Sequence, residues 1–189
     1  MLMFITGGVR SGKSSYAEKR AVEQFHNEKG SLYYLATGLA DDNEMKERVK
    51  KHQRQRSRIS SHWNVIEQSI DVEEHLPSFN QRDVVLIDCL TTLLTNELFK
   101  DWRDVPDKWK DPAYVMEIET KLISFINELA RGEFTAILVS NEVSHEPISD
   151  ELTLAYAKLL GTLHQHAVKE SVEAIKVEAG IPIVMKGRQ

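Results

Sequence analysis

Residues 7–14 read Gly-Gly-Val-Arg-Ser-Gly-Lys-Ser, and this stretch limits what the chain can fold into more than any other. It fits the pattern G-x-x-x-x-G-K-[ST], follows an apolar run from Leu2 to Thr6 and precedes a run with helical spacing from Ser14 to Phe25. Glycines in such a loop let backbone N–H groups converge on phosphate oxygens, and the positive end of the following helix dipole strengthens the attraction. Lys13 would then reach the terminal phosphates, and the Ser14 hydroxyl would coordinate Mg²⁺. The pattern therefore predicts a phosphate-binding loop, with a chance glycine-rich turn as the alternative.

Apolar runs of strand length alternate along the chain with stretches of helical spacing. The predicted strands are 2–6, 32–36, 63–67, 84–88, 136–140, 172–177 and 181–185, and the predicted helices are 14–25, 43–56, 114–130 and 150–170. Because the strands are continuously apolar, the alternation predicts an α/β fold with a doubly wound, mostly parallel sheet and helices on both faces. The two prolines and the charges of Lys100–Pro112 predict a loop, in which Trp102 and Trp109 pack against another part of the protein.

Size and composition favour one domain over residues 1–189. The chain has 189 residues, of which 41% are hydrophobic and 28% charged, and this suffices for a core without a disulfide or a structural metal. The net charge of −5 argues against broad electrostatic binding to nucleic acid or to anionic membranes. No apolar run approaches the roughly 20 residues that span a bilayer, and the first residues lack the pattern of a signal peptide. Since the single Cys89 cannot form an internal disulfide, we expect a cytoplasmic protein.

A second candidate metal-binding residue ends another predicted strand. Val84–Asp88 is a run of four apolar residues followed by aspartate, which is the arrangement of a Walker B carboxylate. Many strands end in aspartate, so this feature gains weight only beside the predicted phosphate loop. Together they predict a magnesium nucleotide bound across the carboxyl ends of the strands.

The predicted helix 43–56 places a histidine among cations. At helical spacing Met45, Val49 and His52 share one face, and lysines and arginines surround them along the basic run Lys46–Arg58. Cationic neighbours lower the pKa of a histidine and favour a neutral, nucleophilic ring, and they also attract a triphosphate. The residues alone leave open whether His52 is a nucleophile or an ordinary surface histidine, and whether the basic run is simply a solvated helix face.

These motifs together resemble the bifunctional adenosylcobinamide kinase / adenosylcobinamide-phosphate guanylyltransferase family of cobalamin biosynthesis. The matching pieces follow the family's order and are Gly7–Ser14, Tyr34–Thr37, Glu44–Met45, Arg48–Val49, His52, Arg56, Trp63–Glu67, Leu86–Thr91, Thr95–Asn96, Val139–Val143, Gly180–Pro182 and Lys186. They span nearly the whole chain. The ordered set is far more specific than any single motif.

The resemblance implies two reactions on a P-loop NTPase-like fold. ATP or GTP phosphorylates the hydroxyl of the aminopropanol arm of adenosylcobinamide; GTP then transfers GMP to His52, from which it passes to the new phosphate to give adenosylcobinamide-GDP. By the same resemblance His52, Lys13 and Asp88 are catalytic, and Ser14 and Asp88 hold Mg²⁺. The implied nucleotide contacts are Gly7, Gly8, Val9, Arg10, Ser11, Gly12, Lys13, Ser14, Thr37, Gly38, Leu39, Gln53, Arg54, Gln55, Arg56, Glu67 and Asp88. The family is also associated with symmetric trimers, for which Trp102 and Trp109 are candidate interface residues.

One stretch departs from the family pattern. After Asn141-Glu142-Val143 the family usually has glycines, then arginines in the next helix and a Gly-x-x-Asn-Gln motif, whereas this chain has Ser144–Asp150, Leu152–Lys158 and Gly161–Gln165. Since glycine conformations are costly for other residues to imitate, the change keeps two alternatives open: a P-loop kinase for another hydroxyl, and a GTP-binding protein without turnover. The histidines of this stretch, His145, His164 and His166, lack the spacing of a metal site and are interpreted as surface or helix histidines.

Overall fold

A computed structural model describes residues 1–28, 30–38, 62–143 and 150–187, without the side chains of residues 26–28. The strands are β1 (Leu2–Gly7), β2 (Leu32–Ala36), β3 (Trp63–Glu67), β4 (Val84–Asp88), β5 (Thr135–Asn141), β6 (Glu173–Glu178) and β7 (Ile181–Lys186). The α-helices are α1 (Lys13–Glu28), α2 (Leu90–Leu98), α3 (Pro112–Arg131) and α4 (Glu151–Glu170). Two 3₁₀ helices cover Val72–Ser78 and Lys108–Lys110. None of the described helices is long and apolar enough to cross a membrane.

The described strands form one seven-stranded sheet in the order β3-β2-β4-β5-β1-β6-β7. All neighbouring strands are parallel except β6 and β7, which are antiparallel. Strand β5 lies between β1 and β4, so that Gly7 pairs with Asn141 and Asp88 pairs with Val139. The carboxyl ends of the six parallel strands therefore share one edge of the sheet, and the predicted α/β fold with a mostly parallel sheet is confirmed.

Two hydrophobic clusters cover the two faces of the sheet. Leu2 and Phe4 of β1 belong to the cluster with α2, α3 and α4, whereas Met3 and Ile5 belong to the cluster with Ala17 of α1. Successive strand residues point to opposite faces, and both faces of the central strands are buried. This burial explains why those strands read as continuous apolar runs.

The differences from the predicted elements lie where tertiary contacts decide the structure. Helix α2 was not predicted, because three of its nine residues are threonines, which have weak helix propensity. Burial of its leucines compensates for the threonines. Strand β7 has the apolar composition of a buried strand, yet it is the exposed edge of the sheet, with Ile181 65% and Met185 66% exposed. The predicted helix 43–56 lies outside the described residues.

The segment 100–112 consists of turns and one short 3₁₀ helix before α3 begins at Pro112. Asp111 caps α3 by accepting a hydrogen bond from the Ala113 N–H at 2.9 Å. Trp109 packs against the core, as predicted, whereas Trp102 is 44% exposed and meets the Phe99 ring edge-on at 5.3 Å.

Candidate functional site

The loop between β1 and α1 has a tightly curled backbone. The N–H of Ser11 donates to the Gly8 carbonyl at 3.1 Å, and the backbones of Arg10 and Gly12 adopt positive φ angles of 61° and 91°. Positive φ is uncommon for arginine, and such strain is typical of functional loops. Helix α1 starts directly afterwards at Lys13, whose side chain is only 7% exposed and donates from Nζ to the Gly8 carbonyl at 3.1 Å. A curled loop that ends at a helix N-terminus suits the binding of phosphate.

The turn between β6 and β7 supports this loop from behind. The N–H of Gly180 donates to the Ser11 carbonyl at 2.8 Å. A Cβ atom on Gly12 would lie 3.4 Å from the Gly180 Cα, and one on Gly7 would lie 2.3 Å from the Val177 carbonyl oxygen. The loop therefore packs closely against the β6–β7 hairpin, and at Gly7 only glycine fits.

Asp88 ends β4 at the same edge of the sheet. Its Oδ2 accepts a hydrogen bond from the Tyr34 hydroxyl at 2.9 Å, which orients the carboxylate. With β5 between β4 and β1, Asp88 lies two strand spacings, or about 10 Å, from the strand that leads into the phosphate loop. A carboxylate here and the Ser14 hydroxyl at the start of α1 are hard oxygen ligands of the kind that Mg²⁺ prefers.

The end of β2 is tied to the segment after Asp88. Thr37 is completely buried; its hydroxyl accepts from the Cys89 N–H at 2.8 Å and donates to the Cys89 carbonyl at 2.9 Å. Its own N–H donates to the Asp88 carbonyl at 3.1 Å, and its carbonyl accepts from Asn96 Nδ2 at 2.8 Å. The Thr37 side chain is therefore occupied within the protein, whereas the neighbouring Gly38 is exposed, and a Cβ added there would meet no atom of the described residues within 4 Å.

Glu67, another residue implied by the resemblance, lies at the far side of the site. It is exposed at the end of β3 and pairs with Ala36, so four strand spacings, or roughly 19 Å, separate it from β1. The strand that carries Glu67 is therefore well separated from the strand that leads into the loop. The remaining implied residues, Leu39, His52, Gln53, Arg54, Gln55 and Arg56, lie outside the described residues.

A polar network at the end of β5 was not predicted from the sequence. Ser140 is fully buried, and its Oγ lies 2.7 Å from His164 Nε2 and 2.9 Å from Thr91 Oγ1. Thr91 Oγ1 in turn accepts from the Asn141 N–H at 2.7 Å. Thr91, the Ser140–Asn141 pair and His164 are far apart in the sequence, and no local pattern marks the contact, although Thr91, Ser140 and Asn141 fall within the stretches that carry the resemblance.

The prediction of a surface or helix position for His164 is confirmed, since the residue lies in α4. The ring is partly buried in α4 and meets the Phe4 ring edge-on at 5.3 Å. Burial lowers the pKa of His164 to about 4, against a smaller opposing effect of the Glu142 carboxylate, so the ring is neutral near pH 7. His166 instead places Nε2 2.8 Å from Asn127 Oδ1 on α3.

Comparison with known proteins gives one family and several relatives. The model of the family described as cobinamide kinase / cobinamide phosphate guanyltransferase matches residues 3–185. The chain is 30% identical to the bifunctional adenosylcobalamin biosynthesis protein CobU of Escherichia coli K12 over 189 residues, which cover 98% of this chain and 100% of that protein. It is 35% identical to the bifunctional adenosylcobalamin biosynthesis protein CobP of Pseudomonas aeruginosa PAO1 over 186 residues, which cover 97% and 96%.

A solved structure with a partial likeness is that of the flagellar accessory protein FlaH from Methanocaldococcus jannaschii. It is 16% identical with a TM-score of 0.49, over 99% of this chain and 78% of that one.

Proposed function

The chain belongs to the cobinamide kinase / cobinamide phosphate guanyltransferase family, and from this we propose that it phosphorylates adenosylcobinamide and then converts the phosphate to adenosylcobinamide-GDP. The family match covers residues 3–185, which include every element of the candidate site. The observation that supports the proposal most strongly is the shared edge of the sheet, where the curled loop before α1 and the oriented Asp88 carboxylate lie two strands apart.

For the kinase step we assign the phosphates of ATP or GTP to the loop formed by Gly7, Gly8, Val9, Arg10, Ser11, Gly12, Lys13 and Ser14. Backbone N–H groups and the Lys13 ammonium neutralise the charge that spreads over the transferred phosphoryl group. The substrate hydroxyl oxygen bonds to the γ-phosphorus, the bond from that phosphorus to the β-phosphate oxygen breaks, the nucleoside diphosphate leaves, and the hydroxyl proton passes to solvent.

Magnesium fits the oxygen ligands at this edge. We propose that the Ser14 hydroxyl and the Asp88 carboxylate hold it, with the Tyr34 hydrogen bond fixing the carboxylate. When bound, the ion neutralises phosphate charge and aligns the terminal phosphates. The protein contributes the fixed positions of both ligands, each on the end of a core element.

For the guanylyl step we propose His52 as the nucleophile, on the strength of the family alone, since this residue lies outside the described part of the chain. A ring nitrogen bonds to the α-phosphorus of GTP and pyrophosphate leaves; the phosphate of the acceptor then bonds to the same phosphorus and the N–P bond breaks. Two such steps replace one direct encounter between two anions. The proposed further nucleotide contacts are Gly38, Leu39, Gln53, Arg54, Gln55, Arg56 and Glu67. The distance between Glu67 and β1 favours different positions of the nucleotide in the two steps.

The test is incubation of the protein with Mg²⁺ and GTP that is isotopically labelled in its α-phosphate. We expect covalent label that is labile in acid and stable in alkali, and none on His52→Ala. His75→Ala is the matched control, because His75 lies in a 3₁₀ helix on a different part of the chain and should label normally. Label on His52→Ala would reject His52 as the acceptor. Phosphorylation of another hydroxyl without covalent GMP would support the alternative of a different small-molecule kinase.

We further propose a single-domain, cytoplasmic enzyme that assembles as a homotrimer. The exposed apolar side chains of Ile181, Ile183 and Met185 on β7, together with Trp102, offer surface for self-association, whereas Trp109 is largely used within the protomer. Light scattering after gel filtration tests this assembly. Replacing Ile183 with lysine should lower the measured mass if β7 is the interface.

A further inference from the structure

We propose that His164 is a positioning residue for the nucleotide site and that its ring fixes the end of β5 against the phosphate loop. This inference deepens the proposed function and depends on its nucleotide site. It rests on hydrogen bonds that join α4 to the end of β5, and on a further bond that joins the residue after β5 to that loop, rather than on any direct contact of His164 with a substrate.

The first link joins α4 to β5. Ser140 lies at the carboxyl end of β5 with no exposed surface, and the His164 Nε2 atom is 2.7 Å from its Oγ. The ring is held edge-on against Phe4 of β1 at 5.3 Å, which limits its rotation. A buried hydroxyl with a fixed partner keeps one orientation, because losing that partner would leave a buried polar group unsatisfied.

The second link joins β5 to α2 and β1. Ser140 Oγ lies 2.9 Å from Thr91 Oγ1, three residues after Asp88, and Thr91 Oγ1 accepts from the Asn141 N–H at 2.7 Å. The next N–H, that of Glu142, donates to the Gly7 carbonyl at 3.2 Å. The network therefore ties the segment after Asp88 and the first glycine of the phosphate loop to the same short stretch of β5.

The neutral state of His164 suits this role. An uncharged imidazole presents one N–H donor and one acceptor nitrogen, and either can complete the bond to a hydroxyl. Within the described residues, the Glu142 carboxylate acts electrostatically on the ring, and the uncharged Phe4 and Ser140 side chains contact it. Holding the two sides of a phosphate site in register is a geometric task, and small displacements there carry large losses of binding and rate.

The experiment measures Mg²⁺-nucleotide affinity by titration with a fluorescent GTP analogue, which needs no corrinoid acceptor. His164→Leu removes the ring nitrogen, and His164→Gln returns an amide nitrogen or oxygen near the position of Nε2. We expect about a tenfold loss of affinity for His164→Leu, in the range expected for a lost buried hydrogen bond, and recovery to within about threefold in His164→Gln. His166→Leu is the matched control, because His166 lies on the same helix as His164, loses an equivalent bond to Asn127 of α3, and should bind nucleotide normally.

A second measurement guards against a variant that does not fold. Ser140→Ala should weaken nucleotide binding in the same direction, and the double variant with His164→Gln should lose no more than Ser140→Ala alone, since both act through one hydroxyl. In the kinase assay His164→Leu should lower kcat while the KM for adenosylcobinamide changes by less than about threefold. Normal nucleotide affinity in His164→Leu, failure of glutamine to restore it, or an equal loss in His166→Leu would overturn the inference alone. A wild-type chain that binds no Mg²⁺-nucleotide would overturn the proposed function as well.

Discussion

Alanine at two adjacent glycines of the phosphate loop should change the nucleotide affinity to very different extents. At Gly7 the new Cβ would lie 2.3 Å from the Val177 carbonyl oxygen and 2.7 Å from Ser11 Oγ, whereas at Gly8 no atom of the described residues lies within 4 Å. Ordinary contacts of this kind are above 3 Å, so either β6 or the loop must move by about 1 Å in Gly7→Ala. Overpacking of this type costs about 2 kcal/mol, within a usual range of roughly 1 to 3.

The Val177 carbonyl belongs to a buried strand in the sheet, while the loop has one side open, so the loop is the part expected to move. We therefore expect Gly7→Ala to lose Mg²⁺-nucleotide affinity by about 30-fold, the equivalent of about 2 kcal/mol. Gly8→Ala should stay within about threefold of the wild type. Isothermal titration with Mg²⁺-GTP measures both, and circular dichroism checks that the sheet is intact. Equal affinities for the two variants would show that the loop conformation does not depend on close packing at Gly7.

Three further predictions concern charge. Asp88→Asn keeps the size of the side chain and an acceptor for the Tyr34 hydroxyl but removes the negative charge. In steady-state kinetics the kcat of the kinase step should therefore fall by about 100-fold, whereas urea denaturation should show little change in the unfolding free energy. Burial lowers the pKa of His164 from 6.5 to about 4, so as the pH falls the unfolded chain binds a proton at this histidine before the folded protein does. Relative to His164→Gln, the wild type should therefore lose about 2 kcal/mol of unfolding free energy between pH 7 and 5. The same change of unfolding free energy with pH in both proteins would contradict this expectation. Lys121 Nζ lies 2.6 Å from Oε1 of the fully buried Glu97. Lys121→Met should leave the Glu97 charge buried without compensation and lower the unfolding free energy by about 3 kcal/mol. A loss below about 1 kcal/mol would show that this carboxylate is otherwise neutralised.

The sequence predicted those parts of the fold that depend on local pattern. Three of the predicted strands, 32–36, 63–67 and 84–88, have the bounds of β2, β3 and β4, because each is a short apolar run with clear flanking residues. The loop motif and the start of α1 were equally accessible, since glycine spacing and helix spacing are both local. The order of the strands was not, because it depends on contacts between distant residues.

The candidate site shows the same division. Lys13 and Asp88 could be selected from their places at the ends of predicted strands or the start of a predicted helix. The position of β5 between β1 and β4 depends on pairing between segments that lie more than twenty residues apart. The contact between Ser140 and His164 depends on such distant pairing as well. A histidine on a helix gives no sign in sequence of the hydroxyl that it will meet.

The stretch that departs from the family pattern is partly described. Asp150 caps α4 by accepting from the Thr153 N–H at 2.8 Å, and the Tyr156 hydroxyl donates to the Thr91 carbonyl at 2.9 Å. Where the resemblance implies cationic side chains, the described part of this helix therefore places a tyrosine whose hydroxyl is used within the protein. Residues 144–149 lie outside the described residues.

The mass of the intact protein after incubation with GTP and Mg²⁺ is the decisive measurement for the two-step account. We expect an increase equal to one guanylyl group per chain, released on brief acid treatment, accompanied by one pyrophosphate, and absent from His52→Ala. An unchanged mass in wild-type protein that demonstrably binds GTP would contradict transfer through a covalent histidine.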